Sequence, residues 1–65
     1  MYDLDSLRAD AHSVRADIER KEELLKAAEE REDHGHARTL RTEIEGAQHR
    51  LADYEDDIAK VERES

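Results

Sequence analysis

The residues best able to do chemistry gather at mid-chain, in the run Glu32-Asp33-His34-Gly35-His36. Two imidazoles beside two carboxylates are donor types that zinc and nickel accept. A metal site needs those donors held still by further hydrogen bonds, and a polar run around a glycine offers no such frame. The expectation is a set of solvated turn residues, with no metal ligands. His12 and His49 stand apart from this run and read as solvated surface residues that add at most a mild pH dependence. The nineteen Asp and Glu residues are spread through the chain, and none belongs to a nucleophile–base set, a Gly-rich phosphate loop or a zinc-deaminase pattern. There is no cysteine, so no disulfide or thiolate site. The chain therefore reads as non-enzymatic, with no catalytic, cofactor-binding or metal residues.

One ionisable residue sits where an apolar one belongs. Lys21 interrupts a regular apolar series, and catalysis by it would need a pocket that a thin helical protein lacks. A polar residue at such a place sets register or oligomeric state at some cost in stability. Its stem is expected to lie along Ile44, with the ammonium reaching Glu22 or Asp17.

That series defines the elements. In the first half it runs Leu4, Leu7, Ala11, Val14, Ile18, Lys21, Leu25 and Ala28; in the second, Ala37, Leu40, Ile44, Ala47, Leu51, Tyr54, Ile58 and Val61. Spacings of three and four alternate throughout, which is the a/d seam of a coiled coil, four heptads on each side. Folded so that facing residue numbers total 65, the halves match layer by layer: Leu4 with Val61, Ala11 with Tyr54, Ile18 with Ala47, Ala28 with Ala37. Each layer joins an a position to a d position, and large residues often face alanine. Flanking charges fit this register, Arg8 with Glu55, Glu22 with Arg41 and Asp17 with Arg50, and such exposed pairs select register more than they stabilise. Asp3 with Glu64 and Asp10 with Asp57 put like charges together at the open end.

A continuous helix could not carry both stripes. Ala28 and Ala37 are nine residues apart, which at about 100° per residue puts them on opposite sides. The chain must break between them, and Gly35 is the residue that tolerates the left-handed conformation ending a helix. The predicted architecture is all-α: a single two-helix antiparallel coiled-coil hairpin over residues 1–65. Its first helix covers about 3–32, its turn 33–36 and its second helix about 37–63. Asp3 is the expected N-cap of the first helix; His34 and His36 are weak candidates for the second. Gly46 falls on an outer face, where it costs about 1 kcal/mol relative to alanine.

With a net charge of −8 and 46% charged residues, the chain carries no basic face for a phosphate backbone, so direct nucleic-acid binding is not expected. Nor does any apolar run approach the ~20 residues of a membrane-spanning helix, and the acidic start Met1-Tyr2-Asp3-Leu4-Asp5 lacks a secretory leader's basic and apolar regions. A soluble, cytoplasmic protein is the expectation. Its seam is thin and rich in alanine, so a lone hairpin is marginally stable. Tyr2, Ala9 and Ala16, with Leu24 beside them, and Ala52 with Ala59, could pack a second hairpin into a four-helix bundle. The expected function is a coiled-coil protein-protein interaction module that forms a homodimer or docks on a protein partner. The alternative is a small acidic inhibitor or nucleic-acid mimic, of the kind phages make, that blocks a basic nucleic-acid-binding protein. Its docking surface would be Asp3, Asp10, Asp53, Asp56, Asp57 and Glu64.

Overall fold

Heptad spacing on both sides of one break produces two helices, α1 (Leu4–Glu30) and α2 (His34–Glu64), in a computed structural model that describes residues 3–64. They pack side by side as an antiparallel hairpin, a rod of 49 × 15 × 14 Å. Asp3 takes the N-cap position of α1 in an extended conformation, and its carbonyl accepts the Leu7 N–H at 3.0 Å. Its carboxylate makes no cap hydrogen bond. The last turn of α1 carries no basic residue, but its C-cap is Arg31, whose charge lies at the negative end of the helix dipole.

The core follows the seam. Leu7, Ala11, Ile18, Ala28, Ala37, Leu40, Ile44 and Ala47 are the buried apolar residues among those described. Six of them form two clusters, one at mid-rod and one at the turn: Ile18, Ile44 and Ala47 with Val14, Leu25 and Leu51 against them, and Ala28, Ala37 and Leu40 with Leu25; Leu7 and Ala11 lie toward the open end. These are the layers that facing numbers totalling 65 require. The remaining seam residues, Leu4, Val14, Lys21, Leu25, Leu51, Tyr54, Ile58 and Val61, are half-buried.

The turn differs from the expectation of 33–36. It occupies residues 31–33, and α2 begins at His34, so Gly35 and His36 lie in its first helical turn. The left-handed residue is Glu32, at φ 58°, and no glycine has positive φ. The Glu32 N–H donates to the Glu29 carbonyl (3.1 Å) and the Asp33 N–H to the Ala28 carbonyl (2.9 Å), the bond pair that closes a helix on a left-handed residue. The cap of α2 is Asp33, not a histidine. The His36 N–H donates to Asp33 Oδ1 at 3.2 Å, and the Ala37 N–H donates to the Asp33 carbonyl at 3.0 Å. An aspartate fits an N-cap far better than histidine does. Placing that cap at 33 keeps both Ala28 and Ala37 inside helices, where they close the seam at 0% and 2% exposure. The glycine is thus three residues beyond the place where the backbone turns left-handed.

Candidate functional site

Two flanks border the seam, and they differ. Counting heptads from Leu4 and Ala37 as a positions, one flank carries the e residues of both helices and the other the g residues. Antiparallel packing faces e with e and g with g. The e flank holds Arg8, Arg15, Glu22 and Glu29 against Arg41, Gln48, Glu55 and Glu62. Three ion pairs cross it: Arg8 to Glu62 (3.5 Å), Arg15 to Glu55 (3.1 Å) and Arg41 to Glu29 (2.9 Å). All six side chains are exposed, so the ladder guides register rather than supplying much energy.

None of the three pairs expected from sequence forms as expected. Arg8 reaches Glu62 and leaves Glu55 to Arg15, while Arg41 meets Glu29 rather than Glu22. Each interhelical pair is displaced by one heptad toward later residues. Side chains on an α-helix lean toward its N-terminus. In antiparallel helices both partners lean back toward the point of contact, so each must start further along its own helix. Asp17 does not reach Arg50; it binds Arg20 at 2.7 Å and Lys21 at 3.1 Å on its own helix.

On the g flank stand Asp3, Asp10, Asp17, Leu24 and Arg31 against His36, Glu43, Arg50, Asp57 and Glu64. On this side Lys21 pairs across the helices with Glu43 at 3.8 Å, longer than the three crossing pairs of the e flank. Lys21 comes from the seam, 23% exposed, with its ammonium drawn out to Asp17 and Glu43. Reaching Asp17 matches the expected snorkelling; the second partner is Glu43, across the seam, rather than Glu22. Arg20 and Lys21, by hydrogen bonding to Asp17, hold its carboxyl below the ordinary aspartate value of 3.8. Leu24 is 47% exposed, the exposed large hydrophobic residue among those described. Half-buried Val14, Tyr54 and Val61 occupy d positions, which border the same flank.

The six acids of the expected docking surface do not share a face. Asp3, Asp10, Asp57 and Glu64 are g residues on one flank, and Asp57 is half-buried there. Asp53 and Asp56 are exposed on the outward side of α2. Ala9, Ala16, Ala52 and Ala59 are exposed as well, whereas Tyr2 lies outside the described residues. At the turn, Asp33 Oδ2 lies 3.9 Å from His36 Nδ1, and this carboxylate already caps α2. Among the described residues no three His, Cys, Asp or Glu side chains converge as a metal set, and no cavity opens between the helices. The residue that sequence reasoning missed is Asp33 as cap; the available signal was an aspartate, a favoured N-cap residue, shortly before the apolar series that begins at Ala37, masked by Gly35 two residues on.

Compared with protein-family models, curated proteins and solved structures, the chain finds no match.

Proposed function

We propose that the protein is a non-enzymatic coiled-coil interaction module that self-associates or docks on a partner protein. The observation that carries this reading is the incompletely covered seam. Half of its sixteen positions are only half-buried, and four of the eight buried residues are alanine. The rod exposes 5115 Å², where a compact globule of this size exposes roughly 4,300 Å². Covering the open edges of the seam with another helical surface adds apolar burial at about 25 cal/mol per Å². A homodimer as a four-helix bundle and a heteromeric bundle both achieve this. The proposal involves no cofactor, metal, membrane or direct nucleic-acid contact. No helix among the described residues is long and apolar enough to cross a membrane. A cytoplasmic setting is part of the proposal, checked by fractionating source cells.

Circular dichroism melting across a hundredfold concentration range, with sedimentation, tests it. The midpoint rises with concentration, or with an added partner, because association stabilises by mass action. A folded monomer whose melting ignores both concentration and candidate partners would sink the reading.

The acids of the g flank support a second reading, an acidic blocker of a basic nucleic-acid-binding protein. It requires salt-sensitive capture of such a protein. Capture that survives neutralising Asp10, Asp57 and Glu64 together rules it out.

A further inference from the structure

The two edges of the seam are finished differently. On the e flank, three arginine–glutamate pairs bridge the helices and tie down the seam's edge. Among the described residues the g flank lacks such a ladder, and to half-buried d residues comparable with the half-buried Leu4, Leu25, Leu51 and Ile58 on the e side it adds the exposed Leu24. Leu24, Val14, Tyr54 and Val61 follow one another along it as a strip from near the turn to the open end, over about 30 Å at 1.5 Å per residue. Six acids line the strip: Asp3, Asp10, Asp17, Glu43, Asp57 and Glu64. The g residues facing them include two arginines, Arg31 and Arg50. Lys21 is already engaged by Asp17 and Glu43.

An apolar strip between acidic margins has the profile of two helices awaiting a third. We infer that the g flank is the docking face for a basic amphipathic helix of a partner protein, which completes a three-helix bundle. This rests on the interaction-module reading above and names the face and the partner's chemistry. The partner helix lays a leucine-type stripe over Leu24, Val14, Tyr54 and Val61. Lysines or arginines beside its stripe meet Asp10, Asp57 and Glu64. Charge selects this occupant over a second copy, since two g flanks face to face would oppose the same acids.

The test uses two synthetic 28-residue helical peptides with identical leucine a/d stripes, one flanked by lysine and the other by glutamate. Fluorescence anisotropy of the labelled peptides reads binding to the full chain. The lysine peptide binds, more weakly as salt rises, and the glutamate peptide does not. Leu24→Ser and the pair Asp10→Arg with Asp57→Arg each lower lysine-peptide affinity about tenfold. The pair Glu19→Arg with Glu22→Arg makes the same charge change on the other side and lowers it less than about threefold. Circular dichroism verifies the hairpin in every variant, and the exposed Leu24 leaves a test that does not depend on the half-buried Asp57. Equal losses from both charge pairs would mean unspecific attraction; a loss confined to the Glu19 and Glu22 pair would put the peptide on the wrong flank. Either result overturns the inference and leaves the interaction-module reading standing. So does a chain that ignores the lysine peptide yet melts with concentration dependence, since a second copy then covers the seam. If neither peptide binds and melting ignores concentration, both fall.

Discussion

Glu32 and Gly35 have exchanged the roles their chemistry suggests. Glu32 bears the left-handed conformation, at φ 58°, which costs an L-residue about 1–2 kcal/mol. Gly35 lies in a helical turn with open space where a Cβ would stand. Glu32→Gly should therefore raise stability by about 1 kcal/mol, after the added unfolded-state entropy of glycine is discounted. Gly35→Ala should be neutral or mildly stabilising. Urea unfolding of both variants checks this, and the opposite pattern would put the turn back at the glycine. Asp17 is the other residue with a measurable signature. Its carboxyl is held below the ordinary aspartate value by Arg20 and Lys21, so its charged form favours the folded state. That contribution is complete above the unfolded value of 3.8 and fades as pH falls through the lower folded value. The stability gap between wild type and Asp17→Asn should be widest at neutral pH and close in acid, as thermal melting at stepped pH would show.

At the scale of the element, each helix depends on how its ends and faces are finished. Asp33 serves both helices: its N–H closes α1 on Ala28, and its carboxylate caps α2 through His36. Asp33→Ala should cost about 1 kcal/mol and Asp33→Asn much less, because asparagine caps nearly as well. A drop of the same size in both would instead assign the effect to charge. Within α2, Gly46 has nothing within 4 Å of the place a Cβ would occupy. Gly46→Ala should stabilise by about 1 kcal/mol from helix propensity alone, read as a higher midpoint in the same urea series. Thr39 and Thr42 hydroxyls donate to the Gly35 and Arg38 carbonyls, both at 3.2 Å, bonds that satisfy the side chains locally and slightly disfavour a straight helix. Gly46 sits little more than one turn beyond Thr42, so the first half of α2 is its intrinsically weaker part and relies on the Ile44 and Leu40 layers to hold it.

Across the whole molecule, burial is uneven along the rod. The layers from Ile18–Ala47 to Ala28–Ala37 contain both core clusters. Toward the open end, Leu4, Tyr54, Ile58 and Val61 are half-buried, with Leu7 and Ala11 the well-covered residues there. Local opening follows buried apolar contact, so amide exchange should be slowest around Ile18, Leu40, Ile44 and Ala47 and fastest beyond Ile58. A uniform exchange rate, or slowest exchange at the open end, would contradict that gradient. Added partner helix or self-association should slow the open end most, since that end has the most left to cover.

Most of the hairpin was legible in the chain before any coordinates. The heptad series marks which residues face inward, because the angle of each residue around a helix depends only on its place along it. The a-to-d layers, with Ala28 on Ala37 and Ile18 on Ala47, follow from matching two such series. Other features were decided only when the two helices were set against each other. Asp33 against Gly35 at the turn was a competition between a cap and a flexible residue, and the need to keep Ala28 and Ala37 helical settled it. Arg15 pairs with Glu55, and Arg8 with Glu62, because long side chains lean along their own helices before they meet. That lean is invisible in spacing alone, whereas the lack of a ladder on the other flank follows from acids facing acids, Asp3 with Glu64 and Asp10 with Asp57. Sequence by itself determined the seam, since its spacing is local geometry; only the tertiary structure decided which charges pair along its laddered edge, because that depends on reach across two helices.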